Sequence, residues 1–243
     1  MMRIIGRIKN RCYAGALMRA YRLRFLWVTR KNNVHRGKVF CVGRNKTGTT
    51  SLRVFFNSVG YRVAPQIEGE KLIYQSGFEP DERFWRWVEK YDVFQDAPFS
   101  WTWMLPHLIG RYPDAKFILS VRDESQRYYS LINHHLEHLG LPKTATTSQI
   151  IERMKADDYV APGYFYAAYV KQNGVPSEDD PVYDEQHFRS TYVQHNATVR
   201  DSIPAAQLLE VDLSEHQSTR VICEFLSLPD YFVGPMPREN RRR

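Results

Sequence analysis

Within nine residues the chain gathers two glycines, an arginine, an asparagine, a lysine and four hydroxyl side chains: Gly43-Arg44-Asn45-Lys46-Thr47-Gly48-Thr49-Thr50-Ser51. Glycines allow a tight turn and a close approach of backbone to ligand. The hydroxyls donate hydrogen bonds and Lys46 adds a full positive charge. Such a set suits an anionic phosphoryl or sulfuryl group. Further along, Arg122 and Ser130 stand eight residues apart, and Asp96 precedes Ala97-Pro98. A guanidinium fork matches phosphate oxygens in bidentate geometry, at about 1.5–3 kcal/mol per charged hydrogen bond. A carboxylate such as Asp96 is a candidate proton acceptor; an aspartate before x-Pro is also a common turn or cap residue.

These residues need elements to hold them. The apolar run Val39 to Val42 reads as a strand, and Leu52, Phe55, Phe56 and Val59 recur at helical spacing after the loop. Strand, loop and helix N-terminus then converge their backbone N–H groups on one spot. A nucleotide triphosphatase loop runs G-x-x-x-x-G-K-[ST]. Gly43 and Gly48 fit its glycines, but Thr49 stands at the lysine position and the lysine comes early, at Lys46.

The alternation continues. Tyr61 to Ala64, Asp92 to Gln95, Lys116 to Val121 and Leu208 to Val211 read as strands. Residues 70–76, 81–90, 101–109, 125–139, 185–203 and 218–226 read as helices. Residues 142–182 show no strong periodicity and read as a loop-rich insertion with one helix near 148–154. Strands alternating with helices predict an α/β fold: a three-layer parallel β-sheet covered on both faces, with ligands at the carboxyl ends of the strands.

Composition narrows the classes. The chain has 243 residues, 43% of them hydrophobic, and no apolar run of the roughly 18 residues a spanning helix needs. Its net charge of +7 is uneven: residues 1–38 hold 11 of the 34 Lys/Arg and no acid, leaving 23 basic against 27 acidic residues beyond them. We therefore divide the chain into a basic amphipathic arm, 1–37, and a folded domain, 38–243. The arm places Ile4, Ile5, Ile8 and Cys12 at helical spacing among arginines. Residues 1–30 suit an anionic membrane surface, or dock on the body. An acidic body argues against nucleic acid.

Three scattered cysteines give neither a disulfide framework nor a zinc site. His134-His135-Leu136-Glu137-His138 formally matches H-x-x-E-H, without an identifiable third ligand. Of the sequons at Asn45 and Asn196, the first lies inside the phosphate loop, where a glycan would block it, which favours the cytoplasm.

The loop Lys46-Thr47-Gly48-Thr49-Thr50-Ser51-Leu52 after a strand resembles the 5′-phosphosulfate loop of sulfotransferases. Arg122 and Ser130 resemble the pair that holds the 3′-phosphate in that family. Asp96-Ala97-Pro98, Tyr112 to Lys116, Glu224 to Pro229 and Pro237 to Asn240 extend the resemblance over residues 38–240. It implies a P-loop NTPase-like sulfotransferase fold and transfer of the sulfuryl group of 3′-phosphoadenosine 5′-phosphosulfate (PAPS) to a hydroxyl or amine, with no metal. Arg44, Asn45, Lys46, Thr47, Gly48, Thr49, Thr50, Ser51, Arg122 and Ser130 would bind the donor. Lys46 would neutralise the leaving phosphate, and Asp96 is the candidate general base, ahead of His107.

The sequence lacks the Lys-x-His-x-Pro and Arg-Lys-Gly-x-x-Gly of steroid and phenol sulfotransferases, so a histidine base is not carried over. The acceptor is not specified; the basic arm prompts a glycan or lipid-linked glycan. Two other classes stay open: a P-loop nucleotide or small-molecule kinase, with Val93-Phe94-Gln95-Asp96 as a degenerate metal-binding strand, and a non-catalytic membrane-associated adaptor. Trp101, Trp103, Tyr164, Phe165, Tyr166 and Tyr169 line an acceptor pocket or belong to the core.

Overall fold

A computed structural model describes residues 34–176 and 181–237, together with Leu23 and Leu26. The arm before Val34 (those two leucines apart), the acid run Glu178-Asp179-Asp180 and the tail from Arg238 lie outside the described residues. Val34 is buried, and the His35 N–H donates to the Leu226 carbonyl, so the chain already packs on the body four residues before Lys38.

Among the described residues four parallel strands form the sheet: β1 (Val39–Cys41), β2 (Val93–Gln95), β3 (Lys116–Val121) and β4 (Leu208–Asp212), in spatial order β2-β1-β3-β4. Val39 pairs with Val93 on one side and with Lys116 on the other, which makes β1 central. The helices are α1 (Thr49–Val59), α2 (Gln66–Gln75), α3 (Glu82–Val88), α4 (Leu105–Arg111), α5 (Glu124–Leu139), α6 (Thr147–Ala156), α7 (Tyr164–Asn173), α8 (Glu185–Ser202) and α9 (Ser218–Phe225).

β1, β2 and the middle of β3 are buried because both faces are covered there, whereas β4, at the sheet edge, carries the exposed Glu210. Successive side chains point to opposite sides. Phe40, Val42, Phe94, Phe117 and Leu119 enter a layer with α3, α4 and the aromatic residues Phe99 and Trp101. Val39, Cys41, Val93 and Ile118 enter the other, against α1 and α9. Cys41 is fully buried, which raises its thiol pKa far above the ordinary range. A third cluster joins α5, α6, α7 and the start of α8 beside the sheet's carboxyl end.

Two sequence expectations need correction. Tyr61 to Ala64 is not a strand: Val63 makes a single parallel bridge to Val93, and Pro65, with no N–H to donate, ends the pairing and opens α2. The loop-rich reading of 142–182 holds a second helix, α7. Its aromatic residues are spread around the axis, so no single apolar stripe marks it.

Candidate active site

The loop after β1 runs over the carboxyl edge of the sheet into α1. Gly43 packs directly on Ser120 of β3, leaving no room for a Cβ. Gly48 sits at φ 98°, and a Cβ there would press on Leu213. Lys46 also takes a left-handed conformation, φ 69°. The loop is locked from within: Thr47 Oγ1 donates to the Arg44 carbonyl at 2.6 Å and shares a 2.7 Å hydrogen bond with Ser120 Oγ. Thr47 is thus turned inward, and its hydroxyl builds the loop.

The first turn of α1 carries no side-chain cap and no acidic residue. The starts of α3, α5, α6 and α8 are capped by Asp81, Asp123, Thr146 and Asp184. Uncapped N–H groups at a helix start leave a positive end for an anion. Lys46, Gly48, Thr49, Thr50 and Ser51 line the cleft above it.

Arg122, at the end of β3, lines the same cleft, and its Nη1 donates to the Lys46 carbonyl at 3.4 Å. Ser130 follows on α5, facing the cleft together with Arg127 one turn earlier. Arg127 was not singled out from the sequence. It is buried, its Nε donates to the Asn45 carbonyl at 3.2 Å, its Nη2 donates to Asn45 Oδ1 at 2.9 Å, and the guanidinium lies over the Tyr192 ring. Burial lowers its pKa to about 10, so it stays charged. Arg44 is held by Gln172 Oε1 at 2.6 Å and reaches Thr102 Oγ1 at 3.4 Å. Burial first, then the neighbouring Arg127, lower its pKa to about 9. Thr102 in turn bonds His195 Nδ1, while His195 Nε2 meets the Val42 carbonyl at the loop's root. Burial, then the charge of Arg44, keep this histidine neutral, its pKa down to about 3.

A sulfotransferase domain profile matches residues 38–243. The chain belongs to the sulfotransferase family. Its fold agrees with that of a crystallised sulfotransferase from Alicyclobacillus acidocaldarius: TM-score 0.54, 17% identity, 86% of this chain and 87% of that one covered. No curated protein matches the sequence.

In this sulfotransferase the cleft has a second wall that the loop does not form. Asp96, at the end of β2, lies beside the first turn of α1. Its Oδ2 accepts from Thr49 Oγ1 at 2.8 Å and its Oδ1 from the Ala97 N–H at 2.9 Å, so each oxygen already holds the backbone or helix in place. Glu70 of α2 also lines the cleft and is 5% exposed. Its Oε1 accepts from Gln66 Nε2 at 3.1 Å, while Oε2 has no partner within hydrogen-bond distance. Burial above all, with repulsion from Asp96, raises its pKa to about 8 against the opposing effect of donors on Gln66 and Tyr164. Tyr164, Tyr159 and Trp101 complete this wall.

Sequence reasoning missed Glu70. Its signal was an acid on the buried face of α2, three residues before Ile73 and next to Gly69, against which Trp87 packs. The histidine motif is dispersed: His138 Nε2 meets Asp157 Oδ2 at 2.7 Å, and His135 Nδ1 meets Tyr183 Oη at 2.9 Å. Among the described residues no group of three or more His, Cys, Asp or Glu is placed to hold a metal ion. His107 is exposed and does not line the cleft. Asn196 is buried in α8, so its sequon is closed in the folded chain. Among the described residues no helix is long and apolar enough to cross a membrane.

Proposed function

We propose that this protein transfers the sulfuryl group of PAPS to an acceptor hydroxyl. The observation that carries the reading is the arrangement of Lys46, Arg122, Arg127 and Ser130 around one cleft beside the uncapped start of α1. The cleft measures about 1320 Å³, more than the roughly 300–1,000 Å³ of an ordinary ligand site. It has room for a nucleotide and an acceptor together.

The N–H groups at the start of α1, with Thr50 and Ser51, bind the 5′-phosphosulfate. Arg122 and Ser130 take the 3′-phosphate, and Arg127 keeps Asn45 and the loop in register. Glu70 acts as the general base in place of Asp96, because Oε2 is unpartnered while both Asp96 oxygens accept hydrogen bonds. Its carboxylate removes the acceptor's proton as the acceptor oxygen bonds to sulfur. The bond from sulfur to the 5′-phosphate oxygen breaks, its electron pair stays on that oxygen, and Lys46 donates to it. Asp96 positions Thr49 and the helix start.

Calorimetry tests the donor. The protein binds 3′-phosphoadenosine 5′-phosphate more tightly than ATP, and Arg122→Ala removes most of the difference. Preferential binding of ATP would replace this reading by a kinase, and binding of neither nucleotide by a non-catalytic adaptor. The N-terminal arm, lying outside the described residues, is proposed to hold the protein at an anionic surface from the cytoplasmic side. Equal pelleting with anionic liposomes of the full chain and of a chain beginning at Val34 would refute that.

A further inference from the structure

The cleft divides by charge. Its loop end carries the cationic side chains that would hold the donor. Its lining also carries Glu70 and Asp157 among the rings of Trp101, Tyr159 and Tyr164, with Asp96 between them and the loop, on Thr49 at the start of α1. The grouping is close: Glu70 and Asp96 both act on the ionisation of Tyr159 and of Tyr164. Tyr159 also feels Asp157, and its ring packs edge-on against His138, which Asp157 holds. Arg53 of α1 also acts on Tyr159, against Asp96 and Asp157. Glu70 Oε2 has no partner within hydrogen-bond distance on a side chain only 5% exposed, and beside Gln66 the Tyr164 hydroxyl is the donor that acts on this carboxyl group. A buried polar group with no partner is costly unless a ligand supplies one.

Resting on the donor reading above, we infer that the acceptor is an uncharged sugar, bound with its ring faces against Tyr159 and Tyr164 and its hydroxyls donating to Glu70, Asp96 and Asp157. Several carboxyl oxygens call for a ligand with several hydroxyl donors, which a sugar has and a simple phenol has not. Tyrosine rings offer flat apolar bodies with polar tips, suited to the C–H faces of a pyranose. Tyr159, 57% exposed at the cleft mouth, is placed to meet the incoming ring. A uronate or a presulfated sugar would bring a negative charge against the carboxylates of Asp96 and Asp157, while Glu70, largely protonated at pH 7, offers a neutral partner; unmatched like charges count against such a ligand.

The test uses the full chain, labelled PAPS, the octyl glycosides of glucose, galactose and N-acetylglucosamine, the matched octyl glucuronide, and 2-naphthol. A neutral glycoside should exceed both the glucuronide and naphthol in kcat/KM by about tenfold or more. Tyr159→Ala should raise KM for that glycoside about tenfold with unchanged affinity for 3′-phosphoadenosine 5′-phosphate. Asp157→Arg should narrow the preference over the glucuronide. Equal or better use of the glucuronide or of naphthol would overturn the inference, as would no transfer to any glycoside by a protein that still binds 3′-phosphoadenosine 5′-phosphate. Failure to bind that nucleotide would instead remove the donor reading, and the acceptor class with it.

Discussion

Replacing Glu70 with glutamine keeps the size of the side chain and removes its proton chemistry. With a pKa of about 8, the wild-type carboxyl is ionised in roughly one molecule in ten at pH 7. The activity of a base in that state climbs about tenfold per pH unit below pH 8 and levels above it. Glu70→Gln should lower kcat by about 10²–10⁴ and abolish the climb. Stability supplies a second readout with its own sign. The folded state holds this proton up to about pH 8, whereas the unfolded chain releases it near the ordinary 4.5. Between those values the native state binds more protons, so stability is full below 4.5 and falls as pH rises, by at most about 1.4 kcal/mol per pH unit. The loss over the whole window is on the order of 5 kcal/mol. Glu70→Gln should flatten that decline and gain on the wild type toward pH 8. Stopped-time sulfuryl-transfer assays and thermal melts from pH 5 to 9 measure both effects. A Glu70→Gln enzyme within about threefold of wild type and with the same pH climb would refute the assignment. So would a climb removed by Asp96→Asn and kept in Glu70→Gln.

Lys46→Ala should cost about 10²–10³ in the single-turnover rate, as expected for loss of one preorganised donor at the leaving group. Arg127→Ala removes both hydrogen bonds to Asn45; at about 1.5–3 kcal/mol per charged bond, the affinity for 3′-phosphoadenosine 5′-phosphate should fall at least about tenfold by calorimetry. Arg127→Lys should restore little of it, since an ammonium cannot span both acceptors. Gly48→Ala puts a side chain at φ 98° against Leu213; a cost of about 1–3 kcal/mol should lower Tm by several degrees. Transfer should persist in EDTA, because the charge on the leaving group is met by Lys46 and the arginines; activity lost on chelation and restored by magnesium would refute that.

The loop end of the cleft was legible in the sequence because its parts are consecutive. Gly43, Lys46, Gly48 and the hydroxyls that follow lie in one strand-loop-helix unit, where spacing alone fixes their relation. Arg122 and Ser130 lie on one strand-helix pair for the same reason, and the order of strands and helices follows from periodicity. Which hydroxyls face a ligand was not legible: Thr47 turns inward because Ser120, 73 residues on, supplies its partner. Tyr61 to Ala64 has strand composition, yet Pro65 and a single bridge to Val93 leave it outside the sheet. The spread of aromatic residues around α7 hides its helix from any periodic reading.

The acidic, aromatic part of the cleft was decided by tertiary structure alone. Glu70, Asp96, Asp157 and Tyr164 come from four separate segments, and local pattern records nothing of how far apart they end up. Glu70 in sequence is an ordinary acid in a short helix. Folding places it beside Asp96 and Tyr164 and away from water, and desolvation, which depends on everything around a group and nothing beside it in the chain, raises its pKa to about 8.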